Sequence, residues 1–337
     1  MVWNILRKLY KQLKQIHPLC IAVVYVLQIM IFNYCRYAKI KKRYGPDCKV
    51  FIFTGHGTGD YYIAGLLLNP WLQKNNVTNY ICIVPDGAEK RVAQLFPYVY
   101  DRMHVITFYP KLTYPNDKLL TFSGHTVHAH CFCPFVSSVG LVRVSADAYL
   151  MGYKNITMLD YFIRNGFNLS DPYKPTQPAF KYDENEIPMH SNTIVLAPYA
   201  RFIDYQRLNS FWCDLAQALK QKGYNVVTNC AGSEKPIQGT AAIFIPYRVL
   251  VPVLNKAAGF IGTRSGLCDI ASSATCVKVA VHVYETDSCP TGRSHSFINM
   301  QRMWGTPNMH DVDIKTSEYT IEDMHRVSSL FPKEQAE

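Results

Sequence analysis

The chain has 337 residues, of which 48% are hydrophobic and 18% charged, which excludes a disordered chain or a coiled coil and leaves material for two buried cores. Lys plus Arg number 35 against 25 Asp plus Glu, a formal net charge of +10. Residues 1–48 hold nine basic residues and one acid, so the remaining chain, with 26 basic and 24 acidic residues, is nearly neutral; a nucleic-acid binder would carry its charge on the folded body, and that class is set aside. The 11 cysteines, an odd number without a CxxC pair, read as free thiols in a reducing compartment.

Residues 3–16 show helical periodicity through Ile5, Leu6, Leu9, Leu13 and Ile16, with Lys8, Lys11 and Lys14 on other faces. Pro18–Cys35 follow without a charge. As a helix these 18 residues measure about 27 Å, the short end of what spans a bilayer core. Basic residues flank the run on both sides and no small-residue cleavage site follows it, so a membrane anchor fits better than a signal peptide. The competing reading is a helical hairpin packed on the body. Residues 1–47 are thus expected to form an arm on the cytoplasmic face of a membrane.

From residue 48 onward, β-branched runs alternate with helical patterns. Strands are expected at Val50–Phe53, Tyr80–Val84 and His104–Phe108, with helices around Tyr61–Leu72, Glu89–Phe96 and Asp147–Arg164. Residues 168–190 carry Pro172, Pro175, Pro178 and Pro188 without periodicity and read as a linker. The pattern then restarts. A strand is expected at Thr193–Ala197, an amphipathic helix at Arg207–Lys222 stopped by Gly223, and a strand at Asn225–Thr228. After these come a helix ending near Ala257, a strand at Gly259–Ile261, a helix start at Thr263–Asp269 and a strand at Val277–Val283. The expectation is α/β: two doubly wound Rossmann-like domains, 48–167 and 191–337, facing a cleft lined by strand carboxyl ends.

Four segments are candidates for chemistry. Gly55-His56-Gly57-Thr58-Gly59-Asp60 follows the first strand; its spacing is neither a P-loop nor GxGxxG, and the bland reading is a turn with Asp60 as a helix N-cap. Gly262-Thr263-Arg264-Ser265-Gly266-Leu267-Cys268-Asp269 follows an apolar strand and opens a helix, an arrangement that suits a diphosphate, with Arg264 as a fork of donors; the bland reading makes Ser265 an ordinary cap and pairs Arg264 with a surface acid. Ala197-Pro198-Tyr199-Ala200-Arg201 ends the first strand of the second half, which would bring Arg201 to the cleft. His125-x-x-His128-x-His130-Cys131-x-Cys133 matches no zinc module and reads as polar loop or cleft lining. Asp311-Val312-Asp313 sits in a polar C-terminal tail and reads as a loop, so no metal site is expected.

Two of these segments together resemble a GT-B glycosyltransferase, most closely the lipopolysaccharide heptosyltransferase group. In that group an early Gly-Asp opens an apolar helix, as Gly59-Asp60 does before Tyr61–Leu68. The second domain begins with a strand and an Ala-Pro-Gly-Ala-like loop, here LAPYAR at 196–201. A helix follows with a Trp, a Leu-Ala pair and a terminal Gly, here Trp212, Leu215-Ala216 and Gly223. The donor loop Asp-Thr-Gly-x-x-His is replaced by Arg264-Ser265-Gly266-x-x-Asp269, a string that also resembles fucosyltransferase donor loops. The resemblance implies metal-independent, cofactor-free transfer from a nucleotide-diphosphate sugar to a glycan or lipid-linked acceptor in surface polysaccharide synthesis. It implies Asp60 as the base that deprotonates the acceptor, with Gly57, Thr58 and Gly59 on the acceptor side. Arg201, Gly262, Thr263, Arg264, Ser265, Gly266 and Asp269 are implied on the donor side. The competing readings are a polyol-phosphate transferase, a nucleotide-cofactor oxidoreductase using the first glycine turn, and a non-catalytic membrane scaffold.

Overall fold

The computed structural model describes residues 39, 42–45, 47–52, 58–85, 88–106, 121–122, 125–126, 157–163, 167, 169, 178, 187–200, 208–284, 298–315 and 319–333. The apolar arm, most of the 168–190 linker and the His/Cys segment therefore lie outside the described residues, apart from a short antiparallel ladder of β4 (Thr121–Phe122) and β5 (His125–Thr126). Among the described residues no helix is long and apolar enough to cross a membrane.

The first lobe is a parallel sheet in the order β1-β2-β3, made of β1 (Lys49–Ile52), β2 (Tyr80–Pro85) and β3 (Met103–Ile106). Its described strands run in sequence order, so the reversal expected of a doubly wound half is not among them. Between β1 and β2 lies helix α1 (Thr58–Lys74). Every residue from Tyr61 to Leu68 in it is buried, so it is apolar all round rather than amphipathic. Two short helices, α2 (Ala88–Ala93) and α3 (Pro97–Tyr100), lead into β3. Phe96 between them lies against α1 at Gly65, where a Cβ would overlap its ring. Of the helix expected over 147–164, the described part is α4 (Met158–Tyr161), started by a Thr157–Asp160 capping box.

The second lobe is a six-stranded parallel sheet in the order β11-β10-β9-β6-β7-β8. Its strands are β6 (Thr193–Ala197), β7 (Asn225–Asn229), β8 (Ala241–Ile243), β9 (Gly259–Thr263), β10 (Val277–Tyr284) and β11 (Met309–Lys315). Read from β8, this is the 3-2-1-4-5-6 order of a doubly wound sheet, with its reversal between β6 and β9. Strand alternation divides the side chains between two cores. Ile194, Leu196, Ile261, Val279 and Val281 face α5 (Asn209–Gln221) and α9 (Ile321–Ser328) in one cluster. Val195, Phe260 and Ala280 face the other way.

That other core holds the first lobe as well. It runs without a break from Phe51, Tyr62 and Leu67 to the second lobe's α6 (Tyr247–Leu254), α7 (Gly266–Ala271) and α8 (Met300–Trp304). The halves expected to face each other across a cleft are joined here by packed apolar surface, with α1 between them. The segment read as a polar tail loop, Asp311-Val312-Asp313, lies instead within β11, an edge strand where Val312 and Ile314 are buried and the backbone groups on one side pair with β10.

Candidate active site

The order reversal between β6 and β9 brings two strand ends and their loops together, the place where an open α/β sheet takes its ligands. The Thr263 hydroxyl donates to the Pro198 carbonyl at 2.7 Å, tying the loop after β6 to the turn after β9. Thr263 is buried and therefore holds the loops rather than facing a ligand. Gly262 is needed for packing: a Cβ there would press on the Phe260 ring and the Cys268 thiol. Ser265 occupies the N-cap position of α7, but its side chain makes no cap hydrogen bond.

Arg264 departs from expectation. Its Nη1 and Nη2 donate to Asp269 Oδ2 and Oδ1 at 3.0 and 3.1 Å, a bidentate pair with side chains only 8% and 1% exposed. Nη1 also donates to the Ser265 carbonyl at 2.8 Å, Nε to the Ile298 carbonyl at 2.9 Å, and Nη2 to the Met303 sulfur at 3.7 Å. These partners take up all five N–H donors of a guanidinium. The fork expected to grip a diphosphate is closed on Asp269 instead, because Asp269 lies five residues on, facing it from the first turns of α7. Asp269 also accepts the Trp304 indole N–H at 3.1 Å. Burial pushes the Asp269 carboxyl upward, and Arg264 opposes that push.

The first glycine turn meets the second at this point. A Cβ on Gly59 would fall on the Asp269 carboxylate, and one on Gly266 would fall on the Gly59 amide nitrogen and the Thr58 carbonyl carbon. Both positions are glycine because two helix starts, α1 and α7, abut backbone to backbone. Asp60 is the third residue of α1, so it is not the N-cap. Gly57 and Arg201 lie outside the described residues, as does the Asp60 side chain.

The expected site residues omitted α8. The Asp311 carboxylate accepts the Met300 and Gln301 amides at 2.9 Å each and bonds to His282 Nε2 at 2.6 Å, which fixes the start of this helix. Burial alone would raise the Asp311 carboxyl, but the His282 bond and the two amides hold it below the ordinary carboxylate range. At its other end Trp304 reaches Asp269, and its ring lies 6.1 Å from that of Tyr62 on α1. The sequence carried a signal: Asn299 caps the helix by accepting the Arg302 amide, and Gly305 ends it at φ 57°. Among the described residues no group of His, Cys, Asp and Glu could hold a metal, and Cys82, Cys213, Cys230, Cys268 and Cys276 carry free thiols.

No protein-family profile and no curated protein matches the chain. Solved structures do. ADP-heptose LPS heptosyltransferase II of E. coli superposes with a TM-score of 0.53 at 13% identity, covering 84% of this chain and 98% of that one. E. coli heptosyltransferase WaaC with ADP gives 0.47 at 11% identity over the same shares, 84% and 98%. The iron-containing dodecameric glycosyltransferase TibC of enterotoxigenic E. coli H10407 gives 0.44 at 15%, covering 78% of this chain and 63% of its own. By superposition over 84% of its residues, this protein has the fold of the E. coli ADP-heptose LPS heptosyltransferase II.

Proposed function

We propose that this chain is a glycosyltransferase that moves a sugar from a nucleotide-diphosphate donor to a glycan or lipid-linked acceptor in surface polysaccharide synthesis. One observation carries the reading: the glycine turn Gly262–Gly266 stands at the order reversal of the second sheet, and the start of α1, which bears Asp60, lies directly against it. The shared fold with an enzyme named for ADP-heptose makes ADP the first nucleotide to test.

In this reading the donor diphosphate lies along the Gly262–Gly266 backbone, with Arg201 as its cationic partner. Arg264 and Asp269, buried and closed on each other, make no contact with it. As the sugar leaves, negative charge collects on the diphosphate, and backbone N–H groups aimed at it from the turn offset that charge without a divalent ion. Asp60 takes the proton of the acceptor hydroxyl. The apolar run Pro18–Cys35, flanked by basic residues, would hold the body at the cytoplasmic face of a membrane, where a lipid-linked acceptor is found.

A thermal-shift panel of ADP, GDP, UDP, CDP and dTDP, with and without EDTA, tests this. A nucleotide that binds only the folded chain stabilises it by about 2.7 kcal/mol at 100 times its Kd. One diphosphate should stand out, with or without EDTA. Stabilisation by NAD and by none of the five would contradict the reading.

A further inference from the structure

Asp269 is placed to do more than pair with Arg264. It belongs to the second lobe, yet its Oδ2 lies where a side chain of Gly59, in the first lobe, would have to be. Its other contacts leave it no freedom. Arg264 holds both oxygens, and the Trp304 indole holds Oδ1. Arg264 is in turn fixed by the Ile298 and Ser265 carbonyls, and α8, which carries Trp304, is pinned at its start by Asp311. The carboxylate is therefore a rigid stop against which the first turn of α1 rests. A helix start carries partial positive charge, so a carboxylate seated there is also electrostatically favoured. A neutral residue of similar size keeps the bulk of the stop but gives up both that attraction and the bidentate pair with Arg264, so it is compared with Arg264 removed as well.

We propose that Asp269 is a positioning residue: it sets where α1 begins relative to the Gly262–Gly266 turn, and so sets the reach of Asp60 toward an acceptor at the donor sugar. The proposal rests on the glycosyl-transfer reading. It assigns Asp269 no proton and no contact with the donor. Gly59 is then the other half of the device, since only glycine lets the stop come so close.

The test uses the full chain, ADP for binding, and ADP release from ADP-heptose in the presence of extracted lipid-linked glycans for turnover. Asp269→Ala leaves Arg264 buried without its partner, so Arg264→Met/Asp269→Ala is measured beside it to remove both charges. ADP affinity should stay within about threefold of wild type while kcat falls by about 100-fold, the scale that a misplacement of about 1 Å produces. Arg264→Met/Asp269→Asn keeps the bulk of the stop without stranding a buried guanidinium and should lie within about fivefold of wild-type kcat. A second readout needs no turnover. Gly59→Ala should lower the unfolding midpoint in the wild-type background and lower it far less in the Arg264→Met/Asp269→Ala background, where the colliding oxygen is gone.

Additive midpoints, or normal turnover in the double variant, would overturn the proposal. So would an ADP affinity that falls in step with kcat, which would make Asp269 a donor ligand. Coupled midpoints in a wild-type chain that binds no nucleotide and releases no ADP would overturn the glycosyl-transfer reading and the positioning role with it, while leaving the contact between lobes intact.

Discussion

Helices α1 and α5 each follow the first strand of a lobe, yet they are built on opposite plans. In α5 the buried residues Phe211, Trp212, Leu215, Ala216 and Leu219 return every three or four positions, and the opposite face is polar. In α1 eight consecutive residues, Tyr61 to Leu68, are buried. A helix with one apolar stripe covers one face of a sheet. A helix that is apolar all round needs a partner on every side, and α1 has Phe51 of the first sheet and α2 on the side of its own lobe and α7 and Trp304 of α8 on the side of the second. The helix that opens the candidate site is therefore the one shared by both lobes, and the position of its start depends on both.

That contrast can be broken at its most expensive point. Arg264→Ala leaves the buried Asp269 carboxylate without its main partner, and removing one member of a buried pair costs about 3–5 kcal/mol. Urea unfolding should show that loss, and Arg264→Met/Asp269→Leu should recover much of it. Truncation sharpens the comparison next. Leu67→Ala on α1 and Leu215→Ala on α5, both fully buried, should each cost about 2–5 kcal/mol. Only the α1 change should also loosen the contact between lobes, read as faster hydrogen exchange in both sheets rather than in the second alone.

Acid should separate the second lobe further. The Asp311 carboxyl titrates below its unfolded value, so its stabilising contribution is complete above the ordinary carboxylate pKa and fades as pH falls through the lowered one. Asp311→Asn should therefore lower stability at neutral pH, where that contribution is complete, and flatten the acid side so that variant and wild type converge at low pH, as followed by unfolding midpoints at a series of pH values. The smallest effect belongs to the outer surface. Arg326→Ala on α9 removes the exposed partner of Asp323 and should shift stability by no more than about 0.5 kcal/mol.

Much of this architecture is legible in the residues because strand and helix periods differ. Thr193–Ala197 reads as a buried strand from its unbroken apolar run and is one. Arg207–Lys222 reads as an amphipathic helix from its stripe, and α5 falls within those bounds. The segment 309–315 was hidden because it alternates charge with apolar residues: His310, Asp311 and Asp313 look like a solvated loop until one sees that Asp311 is bonded to His282 and to the start of α8. Both glycine turns of the candidate site are visible as glycine clusters, but their mutual contact is not, because it joins residues some two hundred positions apart and no periodicity records it. The Arg264–Asp269 pair shows why a residue type can mislead. A cation beside a glycine turn invites a phosphate, yet an acid five residues away, on the short helix that follows the turn, is closer and always present.

The central claim is that Asp60, at the start of the helix shared by both lobes, serves as base for transfer from a nucleotide-diphosphate sugar. It is tested most directly by the acceptor-dependent release of ADP from ADP-heptose by Asp60→Asn, measured beside its calorimetric affinity for ADP. The account predicts an ADP affinity close to that of wild type and a release rate lower by about 100-fold or more. A variant that releases ADP at the wild-type rate would contradict it.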